Sequence, residues 1–148
     1  MFSLIITVIS IALVAALAVS TLYFGGDAFN AGSDKAKAST LVNQAQQIDG
    51  ANTIYRLDTG ALATVIGDLT PDYLASAPQV NDNISSSSYS LGGATDDTIT
   101  LSDVTASVCD EVNDQIGLTA DVADATAMAN QGVQYGCTTP GNDFIFNP

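Results

Sequence analysis

The chain contains no histidine and no tryptophan, and only three of its 148 residues are basic. Without histidine it lacks the imidazole that most nucleophilic and metal-dependent catalytic sites use. Two cysteines alone do not make a zinc site, and neither a glycine-rich phosphate loop nor a nucleophile elbow occurs. We therefore expect no enzyme activity, no catalytic residues, no cofactor and no bound metal.

Positive charge is scarce after the first third of the chain. The three basic residues are Lys35, Lys37 and Arg56, the net charge is −13, and Glu111 is the sole glutamate, so the acid is almost all aspartate. Nucleic acid is disfavoured as a partner of the globular part, because no groups are available there to neutralise phosphates. A surface rich in Ser, Thr, Asp and Gly indicates a solvated, exported domain.

Charge of either sign is absent from the first 26 residues, and Met1–Phe24 is an almost unbroken apolar run. A helix of that length reaches about 36 Å, which is enough to cross the hydrocarbon core of a bilayer. The run is too long for a signal peptide and has neither a basic region before it nor a good cleavage site after it. A chain entering a membrane usually carries basic residues on its cytoplasmic flank. We therefore predict that Met1 is a processed, mature N-terminus with a free or methylated amine.

The apolar run is followed by an amphipathic helical pattern, which Gly60 ends. The run and the pattern together predict one helix of about 55 residues. We expect this helix to be loosened at Gly25–Gly26, because glycine disfavours helix interiors. Five residues spaced three or four positions apart form a narrow stripe along one side of this helix: Leu41, Ala45, Ile48, Asn52 and Tyr55. The opposite side is predicted to hold Lys37, Asn43, Gln44, Gln46, Gln47 and Asp49.

The rest of the chain predicts short elements. Thr70 is the expected N-cap of a brief helix with Pro71 at its first position, and Gly117 is expected just past the end of a longer helix. The predicted elements are a loop with a short helix (61–68), a brief helix that starts at Thr70 and is ended by Ala77–Pro78, strands at 85–89 and 97–101 joined near Gly92–Gly93, a helix (105–116), an ambiguous stretch (120–130) and a strand (144–146).

The two cysteines, Cys109 and Cys137, are predicted to form a disulfide. An even count in an exported domain favours pairing over free thiols. Closing a loop of this size is expected to stabilise the fold by about 3–4 kcal/mol in the chain-entropy description.

Other polar motifs are weaker. The acidic groups at 96–97, 110–114 and 121–124 offer oxygen ligands for calcium, but none matches a defined loop and a solvated surface is favoured. Asn83 begins a glycosylation sequon that ends at Ser85. Lys35 and Lys37 are suited to pairing with acids in a fibre, to lying beside lipid headgroups, or to a plain solvated helix face.

Together these residues resemble the type IV pilins, and within them the type IVb branch. The likeness comprises the apolar helix running into an amphipathic one, the segments 69–78 and 107–116, Gly136–Cys137, and 142–146. Met1 also fits that branch, which accepts a first residue other than Phe. The resemblance implies an α+β subunit in which a long helix packs on a small antiparallel sheet and polymerises through its apolar half.

The resemblance also implies two domains and a polymerisation core. Residues 1–26 would be the transmembrane and polymerisation helix, and 27–148 the globular head, which includes the second half of the helix. The implied partners are further copies in a helical filament, the inner membrane before assembly, and the pilus assembly machinery. Most pilins carry Glu at the fifth position, whereas this chain has Ile5, so packing rather than ion pairing would hold the core. The expected core residues are Phe2, Ile5, Ile9, Leu13, Leu17, Leu22 and Phe24.

Three function classes remain open at this level. The first is a structural subunit of an extracellular pilus that serves adhesion, aggregation or motility. The second is a minor pilin or secretion-system pseudopilin. The third is a membrane-anchored exported binding domain that never polymerises, in which the small residues at 12, 15, 16, 18 and 20 contact only lipid.

Overall fold

The structure is a computed structural model that describes residues 2–94, 96–118, 125–138 and 141–148. Its elements in chain order are α1 (Phe2–Thr59), α2 (Ile66–Leu69), β1 (Ser90–Leu91), β2 (Ile99–Leu101), α3 (Ala106–Ile116), α4 (Ala125–Asn130), β3 (Tyr135–Cys137) and β4 (Phe144–Phe146). The chain divides into two compact units, the N-terminal unit (Met1–Ser33) and the head (Asp34–Pro148). The predicted α+β architecture, with a long helix, a small antiparallel sheet and one disulfide, is confirmed.

Helix α1 is 58 residues long. The glycine pair at 25–26, where loosening was expected, lies within the helix. The predicted end is confirmed, because Gly60 has a φ of 77°, a conformation that glycine adopts without steric cost. Its N–H donates to the carbonyl of Arg56 at 2.9 Å, which satisfies one of the last carbonyls of the helix.

The predicted stripe of α1 forms the centre of the head's core. Leu41, Ala45 and Ile48 are fully buried and Asn52 is nearly so, while Tyr55 packs against the cluster from its edge. This confirms the helical periodicity, since residues three and four apart share one face of a helix. Their buried neighbours in the core are Leu69, Ile99, Leu101, Val108, Val112, Phe144 and Phe146.

The sheet has the strand order β1-β2-β4-β3, and every pair is antiparallel. Strand β4 lies between two neighbours and all three of its residues are buried. Phe144 and Phe146 belong to the main core, whereas Ile145 belongs to a second small cluster with Met128 of α4. Because successive side chains of a strand alternate between faces, β4 has both faces covered.

Helix α3 ends as predicted at Gly117, which has a φ of 71°. Val108 and Val112 are buried, and Ile116 is half-buried. The side chain of Asn113 ties α3 to β3, because it accepts from the N–H of Cys137 at 2.8 Å and donates to the carbonyl of the same residue at 3.1 Å.

Two predicted elements are wrong. No helix covers 70–77: the short helix α2 ends at Leu69, and Thr70 is its extended C-cap, because a residue before proline is driven out of the helical region. No strand covers 85–89: strand β1 begins at Ser90, and Ser85 makes an isolated bridge to Val104. The Ser85 hydroxyl accepts from the N–H of Ser87, and such local bonds compete with strand pairing.

Candidate assembly helix and head surface

The apolar residues of the N-terminal unit lie on its surface. The seven predicted core residues are exposed by 53% (Ile5 and Ile9) to 84% (Phe2). Helical spacing places six of them on one side of α1 and Leu22 on the other. Among the described residues, α1 is the one helix long and apolar enough to cross a membrane. This unit can therefore span or anchor in a bilayer, and in water it would leave a large apolar surface uncovered.

Three hydroxyl groups of this segment are bonded within the helix. Thr7 Oγ1 donates to the carbonyl of Leu4 at 2.9 Å, Ser10 Oγ to that of Ile6 at 2.8 Å, and Thr21 Oγ1 to that of Ala18 at 2.9 Å. Such bonds let serine and threonine enter an apolar environment without leaving a donor unpaired. When α1 is buried in lipid or protein, these three hydroxyl groups therefore keep their hydrogen bonds.

A shallow apolar groove of about 360 Å³ follows the small residues of the segment. Small side chains leave room for the side chains of a neighbouring helix, and so allow close helix approach. The groove is lined by Ser10, Ile11, Val14, Ala15 and Ala18.

In the head, each of the three cations has an acidic neighbour. Lys37 Nζ lies 2.7 Å from Asp34 Oδ1 and Lys35 Nζ lies 3.7 Å from Glu111 Oε1, while Arg56 is paired within the network described next. The hydrogen bond from Lys37, with a further one from Ser107, holds the pKa of Asp34 below its usual value. Because the cations are engaged, most of the acidic residues that the structure describes in the head have no ion pair with a lysine or arginine.

A polar network joins α1 to the turn before β2. Asn52 is only 2% exposed; its Nδ2 donates to Asp97 Oδ1 at 2.6 Å and its Oδ1 accepts from the N–H of Ala63 at 3.0 Å. Arg56 lies 3.5 Å from the other oxygen of Asp97. Partial burial, and secondarily the charge of Asp97, raise the pKa of Asp49, and Arg56 partly opposes this. The sequence placed Asn52 in the core stripe but did not reveal these partners.

The described residues do not support the candidate calcium positions. Asp96 Oδ1 accepts from the N–H of Thr98 at 3.1 Å, and Asp97 belongs to the Asn52 network. Asp110 and Asp114 are exposed. Across the described part of the chain, no group of three or more potential metal-ligating side chains comes together. The last candidates, Asp121 and Asp124, lie outside the described residues.

The predicted disulfide is confirmed. Cys109 in α3 is bonded to Cys137 in β3, with a Cα–Cα distance of 5.3 Å, and both residues are buried. The bond therefore links a helix to an edge strand of the sheet inside the core. Position 1, the predicted processing site, lies outside the described residues.

The glycosylation sequon lies at a turn on the head. Asn83 is exposed, and its carbonyl accepts from Thr105 Oγ1 at 3.1 Å. The third residue of the sequon, Ser85, is buried, and its hydroxyl donates to the carbonyl of Ser102 at 2.6 Å. Modification of Asn83 stays a prediction.

A groove of about 370 Å³ lies on the head beside the edge strand β1. Its walls are the segments 77–80 and 86–89 with Ile66. Tyr89 is the one ionisable residue among the lining residues; burial raises the pKa of its phenol, and its hydroxyl lies 3.0 Å from Gln44 Oε1. The chain matches no known protein family, no curated protein and no solved structure.

Proposed function

We propose that the chain is a structural subunit of an extracellular filament of the type IV pilin kind, most like the type IVb major pilins. The observation that carries the proposal is the contrast within α1. Its first 25 described residues are uncharged and exposed, while its later turns are part of a folded, disulfide-linked head. A helix of this kind needs a lipid or protein environment, and a filament core supplies the second.

The driving force of assembly is apolar burial. Removing a large apolar side chain from water contributes about 1.5–3 kcal/mol when burial is complete. The exposed residues of the segment include Phe2, Ile5, Ile9, Leu13 and Leu17. With Ile5 where most pilins carry Glu, no acid near the N-terminus takes part, so packing among small and branched side chains holds the core.

The proposed function implies where the subunit is located before and after assembly. The unassembled subunit rests in the inner membrane through α1, is transferred by a pilus assembly machinery, and ends in a homopolymer on the bacterial surface. There it serves adhesion, aggregation or motility. The acidic head faces outwards, where its unneutralised charge keeps it solvated.

Two other functions share the same helix. The length and hydropathy of α1 equally suit an exported binding domain that stays anchored in the membrane. A minor pilin or secretion-system pseudopilin would use the same packing but would begin or tip a short fibre. Abundance in filaments separates the major subunit from both.

Shearing of cells that produce the chain, followed by electron microscopy and mass spectrometry of the released material, tests the proposal. We expect filaments in which this chain is the main protein, and an intact mass that shows whether Met1 carries a free or methylated amine. Retention of the whole population in the membrane fraction, with no filaments released, would contradict it.

A further inference from the structure

The groove of about 370 Å³ on the head has two separate walls. One wall is the segment 77–80 and the other is the segment 86–89, with Ile66 beside them. Among the described residues, no hydrogen bond runs directly from one wall to the other. The volume lies at the lower end of the range of about 300–1,000 Å³ that sites for small molecules occupy. The groove is therefore large enough for a small ligand.

One side chain of α1 contacts both walls. Gln44 Oε1 accepts from the hydroxyl of Tyr89 at 3.0 Å, and its Nε2 donates to the carbonyl of Gln79 at 3.1 Å. Tyr89 is only 6% exposed, so the second wall is anchored in the core of the head. Because these contacts exist without a ligand, the groove is preformed, and a preformed site loses little conformational entropy on binding.

A run of four serines in the second wall presents its hydroxyl groups in two different ways. Ser85 Oγ donates to a backbone carbonyl at 2.6 Å, and Ser87 Oγ donates to Asp103 Oδ2 at 3.1 Å. The alternate members, Ser86 and Ser88, are exposed, line the groove and make no hydrogen bond to any described residue. The bonded serines therefore hold the wall, while the other two leave hydroxyl groups that can each donate and accept.

The residues that line the groove are uncharged, although the chain has a net charge of −13. An anion would find no cation there and would be repelled by the acidic head, whereas a cation would be drawn to the carboxylates elsewhere. A purely apolar ligand would cover the serine hydroxyls without giving them hydrogen bonds, which is costly. A neutral sugar combines hydroxyl groups with apolar C–H faces, and the groove offers serines beside Pro78 and Val80.

We propose that this groove binds a neutral saccharide of one or two rings, with the hydroxyl groups of Ser86 and Ser88 as its hydrogen-bonding partners. The C–H face of the sugar packs on Pro78 and Val80, which removes apolar surface from water. For its biological role the inference rests on the proposed function, since it names the class of ligand for adhesion. The site itself lies wholly in the head, so binding does not require filaments.

Binding of glycans to the full chain tests the proposal. The chain is kept in a zwitterionic detergent, because alkyl glycoside detergents carry a neutral sugar themselves. An array of neutral, anionic and cationic glycans is screened first, and the best neutral glycan is then titrated in free form by NMR. We expect a neutral glycan to bind with a dissociation constant on the order of 1 mM or below. The double variant Ser86→Ala/Ser88→Ala should weaken this binding roughly tenfold, because two hydrogen bonds are lost. Its urea midpoint should not change, since neither hydroxyl is bonded within the head.

The matched control is Ser76→Ala/Ser102→Ala, which removes two exposed serine hydroxyls outside the groove and should bind like the wild type. Ser88→Trp, which fills the groove, should abolish binding. The inference is overturned if no neutral glycan binds, if charged glycans bind as tightly as neutral ones, or if the double variant at 86 and 88 binds like the wild type. It is also overturned if an uncharged peptide of alternating threonine and valine binds in place of any glycan.

The outcome for the saccharide is separable from the outcome for the filament. Filaments that form but bind no glycan would refute this inference and leave the proposed function standing. A chain that binds a neutral glycan through Ser86 and Ser88 but never forms filaments would refute the proposed function alone.

Discussion

The two parts of α1 use apolar residues in opposite ways. In the N-terminal unit, Leu13 and Leu17 are exposed by 60% and 66%, whereas in the head Leu41 and Ile48 are completely buried. The residue types are alike and the element is the same helix. The difference lies in what the sequence supplies as a partner: the head provides a sheet and α3, while the N-terminal unit provides nothing that covers its surface among the described residues. Apolar side chains favour burial in both parts of α1. Whether they are buried within the subunit depends on whether the same chain supplies a surface that packs against them.

The largest expected effect comes from a charge in the apolar segment. Leu13→Asp or Ile9→Asp should abolish filaments, because an unpaired carboxylate in a dry core costs several kcal/mol at each of many repeated contacts. The unfolding temperature of the head should not change. Electron microscopy of sheared fractions and thermal unfolding of the subunit in mild detergent measure the two effects. Leu13→Met, which keeps the apolar volume, is the control, and filaments of Leu13→Asp would refute packing as the dominant force.

The next effect concerns the solvent rather than the sequence. Filaments should persist in about 1 M NaCl, where the Debye length is near 3 Å and exposed ion pairs are screened. They should dissociate in mild detergent, which offers the apolar segment another environment. The exposed ion pair Lys35–Glu111 lies within one head and should contribute under about 1 kcal/mol to the stability of the subunit. Filament length by microscopy in both solutions measures this, and dissociation in salt with persistence in detergent would show an electrostatic core.

Within the head, the disulfide should have the largest single effect. Cys109 and Cys137 are separated by 28 positions, so replacing both by alanine should lower the free energy of unfolding by about 3–4 kcal/mol. Urea unfolding of the full chain in detergent, followed by tyrosine fluorescence, measures it. Free-thiol labelling of the denatured, unreduced wild type should give no signal. Full labelling would show that the bond does not form in the cell.

The same helix offers a matched pair of isoleucines. Ile48→Ala removes a fully buried side chain and should cost about 3 kcal/mol, within the usual range of 2–5 for such truncations. Ile54→Ala removes a side chain that is 52% exposed in the subunit and should cost under about 1 kcal/mol. The urea midpoints of the two variants measure these two losses of stability. Equal losses would mean that the head's core does not lie where the structure places it.

The sequence predicts the two long helices of this molecule, α1 and α3, best. The stripe of Leu41, Ala45 and Ile48, the end at Gly60 and the end at Gly117 follow from spacing and from glycine chemistry, which are local properties. The bonded cysteines followed from their number and from the exported character of the chain. These features require no knowledge of distant neighbours.

The sheet and the polar contacts were harder to predict. Strand β1 is only two residues long, and its start at Ser90 depends on the bonds of Ser85 to Ser87 and Ser102. The partners of Asn52 lie at positions 63 and 97, far along the chain. Such pairings depend on tertiary structure, which a local pattern does not contain.

The smallest effect is a pH dependence confined to the head. The pKa of Asp49 is raised, chiefly by partial burial and then by Asp97. Protonation is therefore favoured in the folded state, and stability falls as the pH rises from the unfolded pKa of 3.8 through the folded one. Asp49→Asn should remove this penalty and raise the free energy of unfolding near neutral pH by under about 1 kcal/mol, because the group is partly solvated and Arg56 offsets the burial. Near pH 3, where Asp49 is protonated in both states, the variant and the wild type should be equally stable.

Asp68 supplies the control of opposite sign. Hydrogen bonds from the N–H groups of Thr64 and Val65, and then from the Thr64 hydroxyl, lower its pKa. Its contribution to stability is therefore present above the unfolded pKa of 3.8 and is lost as the pH falls through the lowered folded value. Asp68→Asn should thus destabilise the head near neutral pH and converge with the wild type in acid, where the Asp49 variant converges from the other side. Urea titrations of the three proteins across this range measure both curves. Curves that shift in the same direction would show that burial at Asp49 does not outweigh its attraction to Arg56.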